Sequence, residues 1–225
     1  SLAIRGAGPE ALSTSDPLME HPVDWEVFQV QTVASGLIGP VYRACARHLR
    51  PSIPASVLAS LRSAYQNNVV RSLRLTGELI RILQLFDVHG IEVFAYKGPV
   101  LGQMAYGDPC MRSFCDLDLF LRPGDVLRAK NLLLDQGFEP EYTMTPAEER
   151  FYLLEECEYN LVHHSRQVVV ELHWKVAMGY ASFGIENDEL WHHIEPLSLM
   201  VKPVPSLSSE YTLLVMAVHG GGKHH

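Results

Sequence analysis

The stretch AYKGPVLGQMAYGDPCMRSFCDLDLFL, Ala95 to Leu121, places a lysine, a Gly-Pro step and an arginine ahead of Asp116-Leu117-Asp118 in an apolar run. The last seven residues read as a strand, Cys115 to Leu121. Residues i and i+2 of a strand share a face, so Asp116 and Asp118 project together while Leu117 and Leu119 point the other way. Two carboxylates so close raise each other's proton affinity unless a cation lies between them. A hard divalent ion held by one or two carboxylates plus substrate phosphates is one resolution. An exposed edge strand with two solvated acids is the other.

Upstream, Ile91 to Ala95 is a short β-type run, and Lys97-Gly98 closes it where a helix over Gly98 to Tyr106 opens. Pro99 suits the first turn of that helix. A glycine at the junction lets backbone N–H groups approach a phosphate, and a helix N-terminus favours anions. Arg112 lies four residues before Asp116, and a guanidinium suits bidentate phosphate contact. Downstream, VVVELHW carries Glu171 in a strongly β-type run, on the same face as Val169 and His173 by alternation. An unpaired carboxylate there costs several kcal/mol, so it needs either a metal or an arginine partner.

The surrounding chain reads as an α+β protein in which helices flank a small mixed sheet. Residues 1–23 are rich in Gly, Pro and Ser and read as a flexible leader. Residues 24–90 read as a helical N-terminal region, with a long helix from Ser56 to His89 stopped at Gly90. The core spans 91–205. It includes a helix over Pro123 to Gln136, a strand over Phe138 to Tyr142 and a short helix near Glu148 to Glu156. It also includes a hairpin of Tyr159 to His164 with Val168 to Trp174, and a helix over Asn187 to His193. Residues 206–225 read as the start of a C-terminal helical region, a chain end that looks truncated, with a helix from Ser206 to His219.

The 225 residues are 47% apolar and 20% charged, the composition of a soluble globular protein. The net charge of −8 is concentrated after residue 90, where ten basic residues face nineteen acidic ones. That excludes a broad electrostatic footprint for DNA, although a local patch for RNA stays open. No apolar run is long enough to span a membrane, and the four irregularly spaced cysteines form no CxxC pair. Reduced thiols and a cytoplasmic location are the expectation. Cys110 and Cys115 have no activating base placed beside them and read as spectators. The adjacent pairs His163-His164 and His192-His193 diverge in any regular element and read as non-ligands. Trp174 reads as a core anchor, Glu155, Glu156 and Glu158 as a solvated acidic patch, and Tyr106 as packing beneath the Lys97 loop.

The pattern KG…Y…R…DLDLF, the helix ending at Gly137-Phe138, the ELHW motif and the late HGGGKHH together resemble the uncharacterised nucleotidyltransferase family of the DNA polymerase β-like superfamily. The resemblance covers roughly Leu79 to the C-terminus. It implies a metal-dependent enzyme moving a nucleoside monophosphate from a nucleoside triphosphate to a hydroxyl acceptor, with release of pyrophosphate. It implies Mg²⁺, with Mn²⁺ as the substitute. By position, Asp116, Asp118 and Glu171 resemble the catalytic and metal-binding acids. Lys97, Gly98, Arg112 and His173 fall where nucleotide and phosphate are bound. The chain departs from the superfamily at Gly98-Pro99, where Gly-Ser or Gly-Gly is usual. That departure keeps a second reading open: a nucleotide- or partner-binding module of a biosynthetic or toxin–antitoxin system, without turnover.

Overall fold

The structure is a computed structural model that describes residues 23–48, 53–176 and 187–223, except for the side chains at 48 and 219–223. The expected leader lies outside these residues apart from Val23, and so do His224 and His225. The chain divides into two compact units, residues 1–67 and 68–225.

The first unit is helical. Asp24 caps α1 (Trp25–Ala34), its side chain accepting from the N–H groups of Glu26 and Val27 at 3.1 Å. Helix α2 (Ile38–His48) follows, and α3 (Ala55–Val88) begins in this unit and continues into the second. Ile38, Cys45, Ile53, Val57 and Leu61 form the core here, beside Tyr42 stacked on Tyr65.

In the second unit α3 buries Leu75, Leu79, Ile82, Leu83 and Phe86 at helical spacing. These residues join α5 (Val126–Asp135), through Val126, Ala129 and Leu133, in covering one face of a sheet. The sheet has seven strands in the order β3-β4-β5-β2-β1-β7-β6: β1 (Val93–Ala95), β2 (Asp116–Leu121), β3 (Glu139–Pro140), β4 (Glu158–His163), β5 (Val168–His173), β6 (Ile194–Leu199) and β7 (Lys202–Leu207). The β2–β5 and β1–β7 pairs are parallel and the others antiparallel, so the sheet is mixed. Leu117, Leu119, Leu121, Val170 and Leu172 point to the covered face. Burial of each such side chain contributes about 1.5–3 kcal/mol, which fixes which face of β2 and β5 turns inward. Asp116, Asp118, Glu171 and His173 are therefore forced onto the opposite face. There Phe94, Phe120 and Leu207 pack with Leu190 of α7 (Asn187–Leu190) and with Val215 and Val218 of α8 (Ser209–Lys223).

Most expected elements are present, including α4 (Gly98–Tyr106), α6 (Pro146–Glu155) with a Thr145–Glu148 capping box, and the β4–β5 hairpin. One region differs. The helix expected from Ser206 starts at Ser209, and a hairpin of β6 and β7 precedes it. Pro196, Pro203 and Pro205 remove ladder donors, and prolines argue against a strand when read locally. The structure tolerates them because β6 is the sheet edge and β7 meets β1 only at Ala95–Ser206. The expected strand over Phe138 to Tyr142 shortens to Glu139–Pro140.

Helix α4 lies close to the loop that leads into β2. A Cβ on Gly102 would stand 2.9 Å from the Pro109 carbonyl oxygen and 3.1 Å from its Cα. Backbone on both sides cannot yield cheaply. Gly102→Ala is expected to destabilise the protein by about 1–3 kcal/mol in chemical denaturation, the usual cost of overpacking. An unchanged midpoint would show that the helix and the loop separate freely.

Candidate active site

The site forms where β2 and β5 run in parallel. Their register sets Asp118 directly opposite Glu171, and Asp116 opposite Val169. The next strand, β4, sets Asn160 opposite Glu171 and Glu158 opposite His173. Cross-strand partners share a face, so acids from three strands and one imidazole meet on one side of the sheet.

Asp118 is the centre. Lys97 Nζ lies 2.5 Å from Asp118 Oδ1, with the two side chains only 9% and 2% exposed. His173 Nε2 lies 3.3 Å from the same oxygen and 3.2 Å from Glu171 Oε2, while its Nδ1 lies 3.6 Å from Glu158 Oε2. Tyr96 supports the group from beneath. Its ring meets His173 edge-on at 5.5 Å and lies 5.0 Å from Lys97 Nζ. Ligand atoms of Asp118, Glu171 and His173 all fall within 4.8 Å of one another, and Asp116 stands outside that set.

The electrostatics separate the two aspartates. Burial alone would push the Asp118 carboxyl up, but hydrogen bonds and charge from His173 and Lys97 outweigh it and hold it well below the usual range. Burial, then the charges of Asp118 and Glu171, push Asp116 up, and Lys97 offsets part of that. Burial pulls the His173 imidazole down, yet its bonds to Asp118 and Glu171 prevail and hold it above its ordinary value. Burial, then the neighbouring acids, drives the Tyr96 phenol well up.

A cationic flank adjoins the acids. Gly98 has φ +52, and a Cβ there would sit 3.3 Å from the Asp116 carbonyl oxygen, so a glycine lets α4 begin against the start of β2. Lys97 is the helix N-cap; its ammonium has no acceptor to offer the first backbone N–H groups, and it donates to Asp118 Oδ1. Arg112 is half-buried and makes no hydrogen bond or ion pair among the described residues. Burial, then Asp116, push the Cys115 thiol up, while the charges of Arg71 and Arg112 offset part of that. Both guanidinium groups are thus close enough for their charge to act on Cys115, next to the start of β2.

The structure brings together Lys97, Asp118, Glu171 and His173, with Asp116, Gly98 and Arg112 at the margin. Sequence reasoning missed Glu158, Asn160, Tyr96 and Arg71. Glu158 was read as part of a solvated patch, yet its side chain is 20% exposed and faces His173. Its β alternation with Asn160 was the available signal. Tyr106 is 43% exposed, and Tyr96 instead packs beside Lys97. The residues set aside elsewhere are structural: Trp174 is buried with Nε1 donating to the Leu153 carbonyl, His163 packs on Phe138, and His193 stacks on Tyr211. Burial, then Asp108, push the Cys110 thiol up to about 11, so it is held protonated.

The mixed sheet thus presents carboxylates from neighbouring strands beside a cationic flank. Residues 21–225 match the family described as uncharacterised nucleotidyltransferase, and the chain belongs to that family. Among solved structures it is similar to the lincosamide antibiotic adenylyltransferase LnuA in its lincomycin-bound form. The identity is 17% and the TM-score 0.44, over 61% of this chain and 83% of that one. No protein with a curated description matches. No described helix is long and apolar enough to cross a membrane.

Proposed function

We propose that the protein transfers a nucleoside monophosphate from a nucleoside triphosphate to a hydroxyl acceptor, with a divalent metal held by Asp118 and Glu171. The observation that carries this reading is the parallel register that sets Asp118 opposite Glu171 beside Lys97. The donor set fits a hard or borderline divalent ion: two carboxylates and an imidazole, with ligand atoms within 4.8 Å of one another. Asn160 Oδ1 is buried without a hydrogen-bond partner among the described residues, on the strand position opposite Glu171, and it suits a donor such as an ion-bound water.

When bound, the ion neutralises the triphosphate and favours in-line attack at the α-phosphorus. The chain's own residues do the rest. Lys97, Arg112 and Arg71 take the phosphate oxygens, Lys97 by exchanging Asp118 for phosphate. Gly98 lets the start of α4 approach them. Asp116, outside the close ligand set, is assigned to the acceptor side. The bond from acceptor oxygen to α-phosphorus forms, the bond to the bridging oxygen breaks, pyrophosphate leaves, and the acceptor proton passes to a carboxylate of the cluster.

The test is incubation of the purified protein with α-phosphate-labelled triphosphates, Mg²⁺ or Mn²⁺ and cell extract as the acceptor source. A labelled product is expected with the native chain and is expected to be lost with Asp116→Asn. Labelling of nothing beyond what Asp116→Asn labels would overturn the proposal.

A further inference from the structure

The family resemblance puts three acids on the metal, yet the residue that completes the close cluster here is a histidine. Among the described residues the ligand set that converges is Asp118, Glu171 and His173. The spacing is telling. Ligands at about 2.1 Å from an ion and at right angles to one another stand about 3.0 Å apart, and tetrahedral ones about 3.4 Å. His173 Nε2 stands 3.3 Å from Asp118 Oδ1 and 3.2 Å from Glu171 Oε2, hydrogen-bond separations that also lie between those two values, so an ion can take the place of the Nε2 proton.

The other face of the imidazole carries a second, independent sign. A metal-ligating histidine almost always gives its remaining ring N–H to a carboxylate or carbonyl, which fixes the tautomer and aims the ring. Nδ1 of His173 faces Glu158 Oε2 at 3.6 Å, an ion-pair approach slightly longer than a hydrogen bond, and β4–β5 register places that glutamate directly opposite. Tyr96 packs edge-on against the same ring and restricts its rotation. The carboxylate–imidazole–ligand order is thus built into adjacent strands.

We propose that His173 is a direct nitrogen ligand of the divalent ion, positioned by Glu158, and that the site therefore takes Mn²⁺ in preference to Mg²⁺. The preference follows from ligand chemistry: Mg²⁺ favours all-oxygen surroundings, a nitrogen ligand adds affinity for first-row transition ions, and Mn²⁺ is the one among them that also suits carboxylate, water and phosphate oxygens. This rests on the metal-dependent transfer proposed above, but it is a narrower statement about one atom.

The test uses the full chain with Mn²⁺ and a non-hydrolysable triphosphate, read by pulsed electron paramagnetic resonance. Directly coordinated imidazole is expected to modulate the Mn²⁺ signal. Protein grown with ¹⁵N-histidine is expected to convert the modulation to the ¹⁵N pattern, which separates it from nitrogen of the nucleotide base. Glu158→Gln is expected to weaken Mn²⁺ binding about 10- to 100-fold, the range for loss of such an outer partner. Mg²⁺ is expected to compete for the site only at large excess. Mn²⁺ that binds in a Glu171-dependent way without histidine modulation would overturn the nitrogen ligand and leave the transfer reading intact. Failure to bind Mn²⁺ with the triphosphate at all would overturn both.

Discussion

Glu171→Gln is expected to lower nucleotidyl transfer about a thousandfold while the protein stays folded. The substitution keeps the shape of the side chain and removes its charge. Glu171 is the cross-strand partner of Asp118, and its carboxylate offers one of three ligand atoms in the close cluster. A metal ligand acting on a phosphoryl group supplies several kcal/mol of transition-state stabilisation, and about 4 kcal/mol corresponds to a factor of about a thousand. The fold is expected to survive because glutamine keeps the volume of a side chain that lies on the face away from the Leu119–Leu172 core. Turnover with labelled triphosphate, set beside a melting curve, measures both. A loss of less than tenfold in a folded protein would remove Glu171 from the chemistry.

Lys97→Met is expected to cost about 3 kcal/mol of stability, beyond any loss of activity. The Lys97–Asp118 pair is nearly inaccessible, and removing one partner of a buried pair strands the other charge, typically at about 3–5 kcal/mol. The low end applies because His173 also approaches Asp118 Oδ1 at 3.3 Å and supplies part of the compensation. Joining Lys97→Met with Asp118→Leu is expected to recover much of the loss, since an apolar pair of similar volume replaces a buried ion pair at little net cost. Denaturant titration of the two singles and the double gives the coupling directly. A single-variant loss under about 0.5 kcal/mol would place the pair in solvent, contrary to the burial seen here.

Much of this was legible along the chain. The alternation of Asp116, Leu117, Asp118 and Leu119 gave the strand and its two faces, and VVVELHW placed Glu171 and His173 together. Helical spacing from Leu58 to Phe86 and the stop at Gly90 gave α3. What stayed hidden depends on pairing between distant strands. Nothing local says that β2 and β5 run parallel with Asp118 opposite Glu171, because alternation fixes a face and not a register. Glu158 sits in a run of acids, so it looked solvated until β4 was laid against β5. Lys97 reads as a phosphate ligand along the chain, but its pairing with Asp118, 21 residues on, depends on the fold and was not visible there. The β6–β7 hairpin was masked by its prolines, whose missing donors matter little at an edge.

The measurement that bears hardest on the site is anomalous scattering from crystals soaked with Mn²⁺ and a non-hydrolysable triphosphate. The expected result is a metal peak within bonding distance of both Asp118 and Glu171, with Lys97 turned from Asp118 toward the phosphates. A triphosphate bound elsewhere, or a metal peak that touches neither carboxylate, would contradict the proposed reaction.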